Sequence, residues 1–363
     1  NSRYIRLEQL DPVFGGTLMK AVVLEAFGGV EHFHWKNWPM PDPKADEVCI
    51  RIQAISINPV DYKMRKGLIP SELPVILGRD VAGTVDAVGD HVSDFKVGDE
   101  VFALLFGTRS NGAYAQYVAT STDFVSIKPK TLSFIQAAPL GVAGLTAYEA
   151  VINKGNVRTG ETVLVAGGAG GVGSFAIPLI RNCGAKSIFA TTGSDESAEH
   201  LMKNFGIPSD HLLGYPNQSL EQMENHIREL TDGQGVSVAF DFVGGQMKKL
   251  CFQAIGFDGR VVSIVEEPPD FKYNIWQADT SPMFAKSTTF HFVALSARAR
   301  NGGPEDWRVY RKTMTALTEL IGGGKVPIPA ITEFGELSED TIRKAHTLLE
   351  DGHVKGKLVI SVN

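Results

Sequence analysis

The sequence predicts an α/β protein in two parts, one β-rich and one built on a parallel sheet wound with helices. Three observations predict it. A chain of 363 residues is long enough for two ordinary domains, and an apolar fraction of 43% with 9% aromatics can fill a core in each. From Met19 to about Ala143, short alternating or apolar runs are broken by Gly, Pro and Asp, which is an all-β reading. Beyond Gly144, apolar runs of strand length alternate with segments of helix length, the rhythm of βαβ units and a parallel sheet.

Met19-Lys20-Ala21-Val22-Val23 reads as a first strand, and Asn1 to Leu18 before it as a leader or an expression remnant. Glu47 to Ser56 and Asp80 to Gly89 are further strands of the β-rich part. Thr162–Ala166, Ser187–Thr191, Val236–Phe240 and Arg260–Ile264 are the strands of the parallel sheet. After about Ala297 a polar loop leads to an amphipathic segment near Tyr310 to Ile321. A last helix from Ser338 to Glu350 begins at a Ser cap followed by acids and stops before Gly352; Lys357 to Ser361 is the closing strand. No internal repeat or low-complexity tract interrupts this order.

A formal charge of −6 and a pI near 5.9 leave no excess of Lys and Arg for a nucleic acid backbone, so nucleic acid is not expected as a partner. No apolar run nears the roughly 20 residues that cross a bilayer, so no membrane partner is expected. Cys49, Cys183 and Cys251 are far apart in sequence and form no Cys-x-x-Cys pair, which fits a reducing compartment; the expected location is the cytoplasm.

Directly after the strand Thr162–Ala166 comes Gly167-Gly168-Ala169-Gly170-Gly171-Val172-Gly173, and then the apolar run Phe175 to Cys183 as a helix. Gly168, Gly170 and Gly173 form G-x-G-x-x-G in the strand–loop–helix setting it requires. Glycine serves the tight turn, the approach of backbone to a pyrophosphate and the packing of helix on strand, while the helix N-terminus offers N–H groups to the anion. The chain should therefore bind a dinucleotide. Where the second strand stops, an acid would hydrogen-bond a ribose diol and repel a 2′-phosphate. Here stand Thr191, Thr192, Gly193 and Ser194, which favour NADP; Asp195 and Glu196 follow, either opposing the phosphate or serving as first-turn acids behind a Ser194 cap.

With Ile57-Asn58-Pro59-Val60-Asp61-Tyr62-Lys63-Met64-Arg65-Lys66-Gly67, Gly144-Leu145-Thr146-Ala147-Tyr148 and Phe240-Asp241-Phe242-Val243-Gly244-Gly245, the chain resembles the quinone oxidoreductase and enone reductase branch of the medium-chain dehydrogenases/reductases, from Met19 to Val362. The resemblance implies a GroES-like catalytic domain, residues 19–143 and 297–363, interrupted by a Rossmann domain, residues 144–296, with the active site in the cleft between them. It implies a homodimer or homotetramer built partly through the Rossmann sheet. It also implies that Thr146 lies near the nicotinamide, that Gly168, Gly170, Gly171, Val172 and Gly173 hold the pyrophosphate, and that Thr192, Gly193 and Tyr215 serve the adenosine end. Val243 and Gly244 should edge the cofactor, with Phe292, Val293 and Lys357 as weaker members of the set. Where many relatives carry a lysine for the 2′-phosphate this chain has Ser197, leaving Lys203 or Arg181 to reach the site.

Zinc-dependent relatives place a Cys ligand early in the first motif and Gly-His-Glu where this chain has Gly78-Arg79-Asp80; here Asn58 stands near the first and Arg79 replaces the His. Zinc needs three or four converging Cys, His or carboxylate ligands, and none of the three cysteines has a partner at ligand spacing. No metal is expected. His32 and His34 share one strand face, with surface imidazoles the commoner explanation. Without a Lewis acid, the suitable acceptors are already electron-poor: quinones, or alternatively enones and alkenals. Their reduction leaves a negative oxygen, which Tyr62 or Lys63 would stabilise; the plain alternative makes Tyr62 a packing ring and Lys63 a surface charge. Asn58 would hold the nicotinamide ribose or substrate, and Asp61 and Arg65 would pair locally. A reading of another class, a crystallin-like structural or RNA-binding protein, is disfavoured by the acidic charge.

Overall fold

The computed structural model describes residues 17–69, 71–106, 112–279, 281–352 and 354–363. The expected leader lies outside these residues except for Thr17 and Leu18, and Leu18 already pairs with Pro39.

The β-rich part runs through β1 (Leu18–Leu24), β2 (Phe33–Pro39), β3 (Glu47–Ile57), α1 (Pro59–Arg65), β4 (Val75–Ile76), β5 (Asp80–Val88), β6 (Glu100–Leu104), β7 (Tyr117–Ser121) and β8 (Val125–Ile127). The α1 helix departs from the all-β expectation. The Asp61 carboxylate accepts the Asn58 backbone N–H at its start and Pro59 fills its first turn, so the local signal was a cap rather than a periodicity. Short α2 (Phe134–Ala137) and α3 (Val142–Tyr148) lead into the second part.

There, β9 (Thr162–Ala166), α4 (Gly171–Asn182), β10 (Ser187–Thr192), α5 (Asp195–Phe205), β11 (Leu212–Gly214), α6 (Leu220–Leu230), β12 (Val236–Asp241), α7 (Gln246–Ala254), β13 (Ile255–Ser263), α8 (Pro282–Ala285) and β14 (Thr289–Phe292) follow in turn. Their strands make one parallel sheet in the order β11-β10-β9-β12-β13-β14. The order reverses between β9 and β12, which opens the ligand crevice of a doubly wound sheet beyond their carboxyl ends.

The chain then returns through α9 (Ala297–Asn301), α10 (Pro304–Gly322), β15 (Ile331–Glu336), α11 (Glu339–Glu350) and β16 (Lys357–Ser361). Part of the expected polar loop is the helix α9, and α10 starts six positions before Tyr310 because Asp306 caps the Gly303 backbone ahead of Pro304. β16 lies between β15 and β3, pairing Leu358 with Ile57 and Ser361 with Ala54, so the last strand sits inside the β-rich sheet. One apolar core spans both parts: Phe102, Leu104 and Phe124 join Val163, Phe175, Phe240 and Leu317 in a single cluster. A second, around Phe33, Ile55, Tyr114 and Leu358, fills the β-rich part alone.

Candidate active site

β9 ends in the glycine loop, and each glycine there answers to a different neighbour. A Cβ on Gly173 would overlap the carbonyl oxygen of Gly167, and one on Gly168 would crowd Ile177 Cδ1 at 3.1 Å and Leu201 Cδ2 at 3.3 Å. Those two are packing positions. Gly170 has φ −78° and ψ 178°, which any residue can adopt, and a Cβ there would find only Gly167 O at 3.5 Å. The space over Gly170 fits an approaching pyrophosphate. The first N–H groups of α4, at Gly171, Val172 and Gly173, have no helical acceptor and face that anion position. Gly171 is small for another reason as well: a Cβ would stand 2.9 Å from Lys357 Cδ, so the lysine stem lies against the loop.

Lys357 therefore belongs to the cleft, although β16 is part of the β-rich sheet. Its ammonium is buried and donates to Asn58 Oδ1 at 2.6 Å and to the carbonyl of Ile57 at 3.0 Å. Asn58 Nδ2 in turn donates to Asp80 Oδ2 at 2.8 Å and to the Ser56 carbonyl at 3.1 Å. Asp80 Oδ1 accepts the backbone N–H of Val142 at 2.7 Å, the first residue of α3, and a Cβ on Gly141 would collide with that oxygen. The line Lys357–Asn58–Asp80–Val142 thus ties four segments together at the mouth of the crevice. In this arrangement Asn58, 1% exposed, has both amide hydrogens and one oxygen lone pair committed to protein. In this structure its amide positions Lys357 and joins it to Asp80.

Asp61 and Arg65 do not pair. Asp61 Oδ2 accepts the Asn58 backbone N–H at 2.8 Å, while Arg65 reaches Glu350 on α11, a residue it shares with Lys66. Burial, with Asp80 nearby, pushes Asp61 up to about 7 against the pull of the Asn58 N–H, Arg79 and Lys357. Burial likewise raises Asp80 to about 6, although Lys357 and the Asn58 amide oppose it. Arg79 donates to the Leu105 carbonyl at 3.0 Å and meets Met64 Sδ at 3.1 Å. Behind them the Tyr114 hydroxyl lies 2.9 Å from His346 Nε2, an imidazole that burial holds down to about 3. Tyr62 and Lys63 are half-buried on α1, the Lys66 ammonium standing 5.9 Å from the Tyr62 ring centre. The contacts from Gly171 through Lys357 to Asn58 put that helix beside the glycine loop.

Thr146 is 5% exposed on α3. Val243 Cγ2 would stand 2.8 Å from a Cβ on Gly167, so Val243 lies on the glycine loop, and Gly244 donates its N–H to Asp241 Oδ1 at 2.7 Å. Asp241 is held by Ser263 at 2.7 Å and stands 3.7 Å from the buried Lys248, which also reaches Glu267 at 2.8 Å. These clamp the turn after β12; sequence reading passed over Lys248 because a lysine inside a helix ordinarily signals solvent. Phe292 is 65% exposed at the end of the edge strand β14, whereas Val293 is buried and donates to the Ser263 carbonyl.

At the end of β10, Thr191 accepts the Gly167 N–H of the loop at 3.1 Å, and Thr192 is buried beside it. Tyr215 covers Gly193, where any Cβ would meet its hydroxyl. Ser194 caps α5 through the Ser197 N–H, making Asp195 and Glu196 first-turn acids. Lys203 pairs with Glu199 at 4.0 Å in the far half of α5, and Arg181 lies toward Gly206, so neither serves the strand end. His32 and His34 stand on the surface beside Glu31 and Glu25. Among the described residues no three His, Cys, Asp or Glu side chains converge as a metal site would require.

Residues 44–130 match the model of the alcohol dehydrogenase GroES-like domain, and residues 208–360 that of the zinc-binding dehydrogenases. The chain is 33% identical over 351 residues to a 2-methylene-furan-3-one reductase of Solanum lycopersicum, spanning 94% of this chain and 79% of that protein. The chain belongs to the medium-chain dehydrogenase/reductase family, on the quinone oxidoreductase branch. It is also 32% identical over 353 residues to an NADPH-dependent alkenal/one oxidoreductase, chloroplastic, of Arabidopsis thaliana, with 94% and 79% covered. A quinone oxidoreductase structure from Pseudomonas syringae superposes with a TM-score of 0.79 at 27% identity, covering 94% of this chain and 99% of that one. The protein is an NAD(P)H-dependent oxidoreductase with a GroES-like and a Rossmann-like part.

Two outcomes test this geometry. Gly170→Ala should leave the melting temperature nearly unchanged and weaken coenzyme binding about tenfold or more, whereas Gly173→Ala should destabilise the fold itself by about 1–3 kcal/mol through overpacking. Calorimetric titration beside thermal melts separates them; equal effects at both positions would refute the assignment. Because Asp61 and Asp80 hold protons more tightly folded than unfolded, their contribution is full below about pH 4 and is lost as pH rises through about 6 to 7. Asp61→Asn should therefore gain stability relative to the parent between about pH 4 and pH 7, and a melting-temperature difference that stays flat with pH would contradict it.

Proposed function

We propose that this protein transfers hydride from NADPH to carbonyl-conjugated acceptors, quinones in the first place, without zinc. The observation that carries the reading is the Lys357–Asn58–Asp80 line. Asn58 and Arg79 stand near where zinc-dependent relatives keep ligands, and here they are committed to an ammonium, a carboxylate, a carbonyl and a thioether. The positive charge there comes from Lys357 and Arg79. Such a site suits acceptors that conjugation has already activated.

NADPH, when bound, supplies the hydride. A quinone taking up that hydride and one proton becomes the quinol; an enone takes hydride at its β-carbon and a proton at its α-carbon. Either leaves an anionic oxygen before protonation, and Tyr62 or Lys63 on α1 would donate to it. The enone reading has its own support, since the two reductases similar over most of this chain are named for furanone and alkenal/one substrates. NADPH is favoured over NADH because no carboxylate ends β10 and Tyr215 covers Gly193. Assembly as a dimer would use the exposed edge of β14, where Phe292 projects.

Initial rates with NADPH and NADH against quinones, enones, alkenals and saturated alcohols test the proposal. The expected result is turnover of conjugated acceptors with NADPH preferred by about 10- to 100-fold, about 1.4 to 2.8 kcal/mol. A preference for NADH, or oxidation of saturated alcohols as the main activity, would overturn it. Tyr62→Phe and Lys63→Met, assayed singly, should show a fall in kcat of about 100-fold for the residue that donates and little change for the other.

A further inference from the structure

The end of β10 lacks the lysine that a 2′-phosphate commonly meets, because Ser197 stands there and its backbone N–H goes to the Ser194 cap. A different cation occupies the neighbourhood. Lys355, from the segment between α11 and β16, places its ammonium 3.4 Å from Glu196 in the first turn of α5. Its backbone position is fixed by its neighbours, since Gly356 donates to the Ala169 carbonyl in the glycine loop at 3.0 Å and Lys357 to the Ala330 carbonyl at 3.0 Å. The ammonium thus reaches from the β-rich part, past the glycine loop, to the helix that starts at Ser194.

We propose that Lys355 is the coenzyme-selecting cation of this protein, exchanging Glu196 for the 2′-phosphate of NADPH when the coenzyme binds. The inference rests on the NADPH reading above. An isolated surface pair, one-third and three-quarters exposed as this one is, adds little to stability, so a structural duty alone gives no reason for a lysine here. A phosphate carrying nearly two negative charges is a stronger partner than one carboxylate. Lys355 also acts on His200, one turn along α5. That imidazole is held below its ordinary value by partial burial and then by the ammonium, and its Nε2 is buried without a partner. The cation is therefore felt along the first turns of α5, the side of the crevice where Tyr215 covers Gly193. Because it comes from the β-rich part, the 2′-phosphate would bridge the two parts, which an NADH diol cannot do through the same ammonium.

The test is calorimetric titration of the coenzyme-free protein with adenosine 2′,5′-bisphosphate and with 5′-AMP, using the parent, Lys355→Met and Glu196→Gln. Lys355→Met should weaken the bisphosphate about tenfold and 5′-AMP less than about twofold; Glu196→Gln, which removes a competing carboxylate, should tighten the bisphosphate. Opposite signs from the two partners are not what loss of a simple ion pair produces. If the parent binds both nucleotides equally, the NADPH reading itself fails. If the parent discriminates and Lys355→Met discriminates as well, or weakens both nucleotides alike, the assignment of Lys355 is overturned while the NADPH reading stands. Melting temperatures of both variants verify that each is folded, as their exposed positions lead one to expect.

Discussion

The carboxylate of Asp80 is the point on which the rest of the cleft depends. It is fully buried at the start of β5, and its two oxygens hold two different things: the Asn58 amide, which fixes Lys357, and the first N–H of α3, the helix that carries Thr146. A buried carboxylate is costly unless its lone pairs are met, and here the cost is offset by two hydrogen bonds and a nearby ammonium. Removing it would leave one Asn58 amide hydrogen and the Val142 N–H without acceptors and would take a negative charge from beside the buried Lys357 ammonium. The glycine loop is therefore held by α3 and β16 from one side and by the β12 turn, clamped through Asp241 and Lys248, from the other.

Much of this was legible because its causes are local. The strand Thr162–Ala166, the glycine loop and the helix after it carry their reasons within a dozen neighbouring residues, and the strand Lys357–Ser361 and the Ser338 cap stand where propensity and capping place them. The pairings that make the site were not legible. Asn58 meets residues 22 and 299 positions away, and Arg65, four places from Asp61 on the same helix, goes instead to a glutamate 285 positions on. Spacing along a helix says which residues are neighbours on its surface, not whether a better partner arrives from elsewhere. The same limit hid Lys355, which no motif marks. The contact of Thr191 was hidden for a related reason: nothing in the sequence shows that the adjacent loop folds over that strand-end hydroxyl and donates to it.

The glycines show how one motif conceals several constraints. Gly173 and Gly168 are small because helix and strand leave no volume, Gly171 because a lysine stem passes it, and only Gly170 keeps open space above it. A pattern match assigns all of them to the coenzyme alike, whereas packing distinguishes the one that faces it.

The placement of β16 bears on how the chain acquires its fold. In chain order this strand follows every strand of the parallel sheet, yet its place is between β15 and β3, with residue pairings some 300 positions apart. On a ribosome the doubly wound sheet can close while the β-rich sheet still lacks an inner strand, leaving the Ala54–Ile57 end of β3 without the partner that β16 provides, beyond the stretch that β7 covers. Such distant pairing is slow to form, because a long loop must close before any contact rewards it. Until β16 arrives, that short stretch of β3 keeps backbone groups without ladder partners, and the same strand then brings Lys357 beside Asn58.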